Sequence, residues 1–467
     1  MEPRRDVMLA SLRRTIIDAT TALVCLTGAL QCAQPATQLG PGPVTDPELV
    51  LVVPDVAKPP YRLPIAPPPF GLSVVRITGD SGDVITVADR QASWGREARH
   101  HYSKDQPWSA DGRLIALQNR RGGSSRQVYL DGETYEPRLL RCPNYPYNDD
   151  RWHPSKAHAS VRINVRDRQL IWFDVRACEM KREWTLPFAV IGIGQDEGNP
   201  SFDGRFVALT DGERAFVVDM DPKPPLAPYP ARRIGPAVDL RDCGLPGGCP
   251  IGWISVSASG RYVVVSHRAA RLRVYDLDPE TLVLTPRTMP SDAPRCTGTA
   301  GNGFIYDLGH ADLTLNPFDN HEDVIVGQEH CRNRGEMVDG KLMGGVVMVR
   351  LRDGAVTPLT DPSNESYPHH VSTQNYERLG WAYVGYYSAE GKRFSDEIVA
   401  VKLDGSKSVE RYAHKHSESS GCYRCEPHAV PSPDGTRVLW ASNWMLEGNG
   451  TGSSDAIQAY IVHTTPR

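Results

Sequence analysis

Short apolar runs alternate with polar turns along most of the chain, and several of the turns share one sequence pattern. The last of them, Ser432–Gly435, has the sequence SPDG and precedes the apolar run Arg437–Ser442. Proline pre-sets the φ angle of such a turn, aspartate tolerates left-handed geometry, and glycine has no Cβ to clash. Related turns occur upstream at Ser109–Gly112, Ser201–Gly204 and Ser257–Gly260. Two β-runs joined by such a turn predict a β-hairpin.

The hairpins form a loose repeat that continues to the end of the chain. Their turns are separated by roughly 45–60 residues, close to the ~40–50 residues of a four-stranded propeller blade. The turns fall near Gly112, Ala157, Gly204, Gly260, Asn320, Tyr376 and Gly435. The pattern therefore predicts an all-β, seven-bladed β-propeller, with an N-terminal strand completing the last blade. A β-sandwich is the rival fold, but it does not explain seven similar hairpins.

The N-terminus has the composition of an export segment. Four arginines precede the apolar run Ala19–Leu30, which is too short to span a membrane comfortably. We predict a signal peptide or N-terminal anchor over residues 1–34, a Pro-rich linker over 35–70 and the propeller over 71–467. The protein is thus expected in the periplasm or outside the cell, with no membrane contact beyond a possible anchor.

The composition of the chain argues against nucleic-acid binding and predicts an oxidising environment. The chain has the 40% hydrophobic and 23% charged residues of an ordinary globular protein, and its net charge of −4 gives no electrostatic footprint for nucleic acid. Eight of the ten cysteines follow Cys25 and Cys32, and an even number in an exported chain predicts disulfides. Pairing in sequence order is the simplest arrangement. It makes Cys422 and Cys425 a structural bridge, since no second CxxC supports a zinc site.

Candidate chemistry comes from the positions that precede the innermost strand of each blade. In a propeller these positions meet at one mouth of the central channel, although they are far apart in sequence. In blade order they are Gln106, His153, Asn199, Trp253, His310, His370 and His428. Four of the seven are histidines, in a chain with 14 histidines in total. Converging imidazoles suit a divalent metal or proton transfer near neutral pH.

Each of these histidines also has a structural explanation. His153 could simply cap a turn, and His310 could hydrogen-bond with Asp312 across the strand. One member of the adjacent pair His369 and His370 is expected to point outward, because successive side chains of a strand alternate between its faces.

The residues carry a family resemblance. The SPDG and SADG hairpins resemble the WD40-like repeats of exported, TolB-like β-propellers. The arrangement of His310, His370 and His428 is similar to that of the oligogalacturonate lyase group of polysaccharide lyases. In that family a manganese ion is held by histidines and a glutamine, and a His-Pro-His segment opens a late blade. Here Glu426 replaces the first histidine of that segment, and Tyr423 stands where the glutamine is expected.

The resemblance implies β-elimination at a uronic-acid glycoside. A divalent metal, manganese or calcium, is then expected at His370, Glu426 and His428, where it would neutralise the substrate carboxylate. His310 is either a further ligand or the base. The catalytic candidates are His310, Tyr102 and Arg378, and the candidates for substrate contact are Gln106, His153, Lys104 and Tyr376.

The leading hypothesis is therefore a metal-assisted lyase, expected to be a monomer, that cleaves an acidic oligo- or polysaccharide. The alternative is a non-catalytic exported propeller that binds a protein or a glycan. A hydrolase would use a carboxylate pair instead, for which Asp196, Glu197 and Asp312 are available. The histidines distinguish the first two hypotheses, because a binding module has no reason to gather imidazoles at one channel mouth.

Overall fold

The computed structural model describes residues 42–146, 149–222, 233–243, 247–267, 271–293, 303–330, 337–338, 341–342, 344–419, 421–444 and 456–465. The predicted export segment, residues 1–34, lies outside these ranges. Within them, no helix is long and apolar enough to cross a membrane. The helical residues of the same ranges form two 3₁₀ turns, Lys156–His158 and Tyr423–Cys425.

Seven antiparallel sheets follow one another as the blades of a β-propeller, which confirms the predicted fold. Blade 1 contains the strands Glu97–Arg99, Leu114–Arg120, Gln127–Asp131 and Pro137–Leu140. Blade 2 contains Asp149–Trp152, Val161–Arg166, Gln169–Asp174 and Glu179–Thr185. Blade 3 contains Phe206–Thr210, Arg214–Asp219, Arg233–Ile234 and Val238–Asp239. Blade 4 contains Ile251–Val256, Tyr262–His267, Arg271–Leu277, Leu284–Pro286 and Phe304–Ile305.

The remaining blades complete the ring. Blade 5 contains Leu308–Asn316, Glu322–Glu329, Val346–Arg350 and Val356–Pro358. Blade 6 contains Pro368–Ser372, Trp381–Tyr386, Glu397–Lys402 and Val409–His414. Blade 7 contains Val430–Pro431, Arg437–Ser442, Gln458–His463, Val74–Arg76 and Pro64–Ile65. Two small hairpins lie outside the blades and pair Val84–Val87 with Arg90–Ser93 and Met337–Val338 with Lys341–Leu342.

The repeated turns have one hydrogen-bond pattern. In each, the serine hydroxyl accepts from the backbone N–H five residues later, at 3.0 or 3.1 Å, in the pairs Ser109–Leu114, Ser201–Phe206, Ser257–Tyr262 and Ser432–Arg437. The glycine of each turn has a left-handed φ between 68° and 79°, which costs glycine little. In blades 1, 4 and 7 these turns lie between the first and second strands, and in blade 3 the turn directly precedes the strand Phe206–Thr210.

The hydrophobic core is divided into layers between neighbouring blades. Between blades 2 and 3, for example, Ile163 and Trp172 pack with Val207 and Phe216. Because each blade lies between two others, both of its faces are buried and its central strands are apolar at successive positions, as in Val263–Val265. The alternation of apolar and polar residues that marks a half-exposed strand is therefore weak in this sequence, and the turns are the main evidence for the fold.

The ring is closed by strands from opposite ends of the chain. In blade 7, Val74–Arg76 pairs antiparallel with Gln458–His463, and Val75 lies opposite Ile461. Pro64–Ile65 then adds the strand at the outer edge. The predicted completion of the last blade by an N-terminal strand is thus confirmed.

Disulfides join cysteines that are neighbours in sequence order, as predicted. They are Cys142–Cys178, Cys243–Cys249 and Cys422–Cys425. The fourth predicted pair, Cys296 and Cys331, lies outside the described residues.

The Pro-rich segment before the first blade lies along the outer strand of blade 6. Val44 and Arg411 exchange two backbone hydrogen bonds of 3.0 and 2.9 Å. The fully buried guanidinium of Arg411 forms a two-bond ion pair with Glu397, at 2.7 and 2.6 Å. It also donates to the carbonyl oxygens of Asp46 and Leu49. Arg411, held in place by Glu397, therefore fastens this segment to the propeller.

Replacing Arg411 is expected to destabilise the fold strongly. Arg411→Met leaves the buried Glu397 carboxylate without its counter-ion, which costs about 3–5 kcal/mol. Urea denaturation followed by tryptophan fluorescence measures the loss. The matched control is Arg352→Met, because Arg352 is 44% exposed and its 3.4 Å pair with Glu322 is a surface contact worth about 0–1 kcal/mol. Equal unfolding midpoints for the two variants would contradict this account.

Candidate metal centre

Side chains from four blades meet where the inner strands begin. His310 belongs to the first, innermost strand of blade 5, and His370 belongs to that of blade 6. His428 lies two residues before the inner strand Val430–Pro431 of blade 7. Tyr102 follows the inner strand of blade 1, and its hydroxyl lies 3.2 Å from Nδ1 of His310. The structure thus brings these four predicted residues into one cluster.

The backbone departs from regular strand geometry at the cluster. In blade 5 the pairing register shifts around His310. In blade 6 it shifts between Pro368 and His370, so that His369 is the extra residue of a bulge. His310 and His428 also have left-handed φ angles of 44° and 45°. Bulges re-aim side chains, and strained backbone of this kind concentrates at functional sites.

His370 lies at the middle of the imidazoles. Its ring centroid is 4.2 Å from that of His310, 4.2 Å from that of His369 and 4.1 Å from that of His428. The side chain is fully buried, and neither ring nitrogen has a hydrogen-bond partner in the described part of the chain. Two buried nitrogens without a partner are costly. A ligand that accepts a lone pair would remove that cost for one of the two nitrogens.

Glu426 brings a carboxylate to three of these rings. Its Oε1 lies 3.3 Å from Nε2 of His369. Its Oε2 lies 3.2 Å from Nε2 of His428 and 3.8 Å from Nε2 of His370. Only 13% of the Glu426 side chain is exposed, so its charge acts in a largely water-excluded space.

Arg99 holds the segment that carries Glu426 and His428. Its buried guanidinium donates to the carbonyl oxygens of Arg424 and Glu426, and to Nδ1 of His428 at 2.7 Å. A guanidinium has no acceptor atom, so Nδ1 of His428 must accept. The neutral His428 ring then carries its proton on Nε2, facing Glu426.

Burial sets the protonation of the cluster. It lowers the pKa of His370 and His428 well below the usual value and lowers that of His310 to about 4. Repulsion from neighbouring histidines acts in the same direction. Burial, reinforced by Glu197, raises the pKa of Tyr102 well above 10. At neutral pH these three imidazoles are therefore uncharged and Tyr102 keeps its proton.

The donors fit a transition metal better than calcium. His310, His369 and His370 form one group whose donor atoms lie within 4.8 Å of one another, and His370, Glu426 and His428 form a second. Calcium takes oxygen ligands, whereas imidazole suits zinc, iron, copper and nickel, and manganese accepts mixed nitrogen and oxygen donors. The unpartnered nitrogens of His370 support the same conclusion.

Two further predicted residues, Lys104 and Gln106, lie beside the cluster, but their side chains already bind other groups of the protein. Lys104 is buried, forms a 2.8 Å ion pair with Glu197 and lies over the ring of Trp253. Gln106 donates from Nε2 to the carbonyl oxygens of Gln374 and Pro431. Lys104 contributes charge near His310, whereas Gln106 ties the inner strands of blades 6 and 7 together, in contrast to its predicted contact with substrate.

The structure does not bring His153, Tyr376 or Arg378 to the cluster. His153 follows the inner strand of blade 2 and packs 4.5 Å from Trp172, at the turn end of that strand. Tyr376 and Arg378 likewise follow the inner strand of blade 6; Arg378 there forms a two-bond ion pair with Glu410. In blades 2 and 6 these residues come after the inner strand, beside the turn to the second strand, whereas His370 and His428 lie near the start of theirs. The sequence-based prediction had therefore assigned these three residues to the wrong end of the propeller.

Three residues of the cluster were not predicted. His369 was expected to be half of a pair of which one ring faces outward, but the bulge turns both rings inward. Tyr387 stacks 3.9 Å from His369, and its hydroxyl lies 2.6 Å from Nε2 of His369. Arg99 is buried behind His428. For His369 the sequence offered one signal, the adjacent pair of histidines. Tyr387 and Arg99 lie within ordinary strand-like runs and offered none.

The comparisons with known proteins agree with this fold. No family model and no curated protein sequence match the chain. Oligogalacturonate lyase in complex with manganese is similar in structure, with 12% identity, a TM-score of 0.51 and coverage of 86% of this chain and 96% of that chain. The oligogalacturonate lyase of Vibrio parahaemolyticus aligns at 12% identity, TM-score 0.38, covering 86% and 96%. The Cps50 (Swd1) β-propeller domain of Myceliophteria thermophila aligns at 15% identity, TM-score 0.42, covering 83% and 99%.

These identities establish the propeller fold alone. The resemblance to oligogalacturonate lyases is confirmed at that level. The chemistry of the site has to be argued from its own residues.

We expect metal binding by this cluster to depend on His370. We expect purified protein to bind Mn²⁺ or Zn²⁺ in calorimetric titration, and His370→Ala to lose at least ~100-fold in affinity, more than is typical of a supporting residue. His158→Ala is the control, because His158 is half-buried in blade 2, beside His153. Wild-type protein that binds neither ion, or His370→Ala that binds like wild type, would contradict the assignment.

Proposed function

We propose that the protein is a metal-assisted polysaccharide lyase that cleaves a uronic-acid-containing oligo- or polysaccharide by β-elimination. One observation carries the proposal: four imidazoles and one carboxylate lie together where inner strands converge, and the central ring, His370, has no hydrogen-bond partner among the described residues. A structurally similar propeller is an oligogalacturonate lyase in complex with manganese. That likeness adds support but rests on fold.

We assign the metal to His370 and Glu426, which share one of the two donor groups, with His369 from the other group as the third ligand. Two imidazoles and one carboxylate leave coordination positions open for substrate. His428, a ligand in the sequence-based hypothesis, is reassigned to support Glu426, because its proton lies on the nitrogen that faces that carboxylate. When bound, the metal would supply a fixed positive charge for the substrate carboxylate and for the charge that develops when C5 loses its proton.

His310 is the proposed base. It is the half-buried histidine of the cluster, whereas His369, His370 and His428 are fully or almost fully buried. A neutral imidazole next to the cluster can accept the proton from C5. The electron pair of the C5–H bond then forms the double bond between C4 and C5, and the C4–O bond breaks.

Tyr102 is the proposed acid. Its hydroxyl lies 3.2 Å from Nδ1 of His310, so the two groups act on the same region of a substrate. Because Tyr102 keeps its proton at neutral pH, it can protonate the departing glycosidic oxygen. Acid and base are thus separate residues, and both come from the sequence-based candidates.

The proposed setting is the periplasm or the cell exterior. The disulfides Cys142–Cys178, Cys243–Cys249 and Cys422–Cys425 are compatible with an oxidising compartment. An acidic saccharide is the proposed substrate, and a monomer is the proposed state.

Elimination leaves a conjugated product that absorbs ultraviolet light, which gives a direct assay. We expect metal-loaded protein to raise this absorbance on at least one of polygalacturonate, alginate and glucuronan. His310→Gln is expected to reduce kcat by about 10²–10⁴-fold, as for loss of a general base, and to retain the bound metal. EDTA should abolish the activity, and added Mn²⁺ should restore it.

The assay separates the alternatives. New reducing ends without a rise in absorbance would indicate hydrolysis. Bound metal without activity on any of the polymers would leave the non-catalytic binding module as the better hypothesis. Unchanged kcat in His310→Gln would remove His310 from the catalytic role.

A further inference from the structure

A groove opens beside the metal centre on blade 6. It has a volume of about 520 Å³ and is bounded by Tyr367, Tyr387 and Lys392. Tyr387 belongs to both features, because its hydroxyl lies 2.6 Å from Nε2 of His369 and its ring stacks on that histidine at 3.9 Å. A ligand in the groove therefore reaches the edge of the cluster.

The groove continues a row of rings that crosses the cluster. Neighbouring ring centroids in this row are 3.9–6.0 Å apart. The rings are, in order, Tyr423, His428, His370, His369, Tyr387 and Tyr367. The two end rings are exposed, by 59% for Tyr423 and 37% for Tyr367. Exposed aromatic faces on both sides of a reactive cluster suit an elongated ligand that presents C–H groups, as a pyranose does.

Lys392 gives the groove a positive charge. Its ammonium group is exposed and has no ion-pair partner in the described part of the chain. Glu365, the acidic residue of the groove, is buried, and its carboxylate accepts from the hydroxyl of Thr360 at 3.0 and 3.2 Å. An uncompensated ammonium beside an exposed tyrosine face favours a ligand with a carboxylate on a sugar ring.

We infer that this groove is a saccharide subsite that binds a uronate unit adjacent to the bond that is cleaved. The Tyr367 ring packs against the sugar face, and the Lys392 ammonium pairs with the uronate carboxylate. The inference rests on the proposed function, since the metal centre would act on the neighbouring unit. It adds specificity-determining residues that do not take part in the proton transfers.

Binding is measured apart from turnover, in the metal-loaded His310→Gln background, by calorimetric titration with trigalacturonate and with trimannuronate. The matched neutral probe is the fully methyl-esterified trigalacturonate. We expect Tyr367→Ala to weaken binding of the acid and of its ester by about tenfold each. Lys392→Ala is expected to weaken binding of the acid by about tenfold and that of the ester hardly at all.

Two controls lie outside the groove. Phe318→Ala removes a 52% exposed ring from the turn that follows the inner strand of blade 5, at the opposite end of the propeller. Lys181→Ala removes a lysine that pairs with Glu179 on blade 2. Both should leave the affinities unchanged. In the catalytic background, Tyr367→Ala and Lys392→Ala should raise KM about tenfold with kcat nearly retained.

The outcomes distinguish the two proposals. Uronate affinity that is unchanged in both groove variants overturns the subsite, even where lyase activity is found. Binding that depends on Tyr367 and Lys392 without any lyase activity supports the subsite and overturns the proposed reaction. Neither binding nor activity on any of the probes overturns both.

Discussion

The pairing of Val74–Arg76 with Gln458–His463 is the constraint on which the rest of the structure depends. It closes the ring, and closure places blade 1 against blade 7. Arg99 can then reach His428 and the carbonyl oxygen of Glu426, although more than 300 residues separate them. Without closure the inner strands would have no common axis, and residues so distant in sequence would not meet. The cluster is thus a product of topology more than of any local motif.

Inner strands determine where side chains converge, but irregular backbone determines which way they face. A regular strand would turn one of His369 and His370 away from the axis. The bulge in blade 6 places both rings at the cluster, and left-handed φ angles do the same for His310 and His428. Such conformations cost about 1–3 kcal/mol each. The closely packed blades on either side supply the stability that keeps them.

Much of the fold could be predicted from the sequence, because the Ser-x-Asp-Gly turns of blades 1, 3 and 7 and the related Ser-x-Ser-Gly turn of blade 4 fix their own register. Blades 2, 5 and 6 lack that turn, and there the position of the inner strand had to be guessed. The predicted position agrees with the structure for His310 and His370. It failed for His153, which lies at the turn end of its strand, where blades 1, 3, 4 and 7 have the turn serine. Bulges leave no mark in a single sequence, so the role of His369 could not be predicted.

The charges around the cluster connect metal binding with the choice of an acidic substrate. Arg99 is fully buried and donates to carbonyl oxygens and one imidazole nitrogen, with no carboxylate among its hydrogen-bond acceptors in the described chain. A divalent ion beside such a cation would be repelled, and the Glu426 carboxylate offsets only part of the combined charge. Glu97 also acts on Arg99, and the positive potential that a bound metal would add falls where few water molecules can screen it. A substrate carboxylate would neutralise it, so metal and anionic sugar should each strengthen the binding of the other. A neutral glycan would offer no such compensation, which is the electrostatic argument for the proposed uronate substrate.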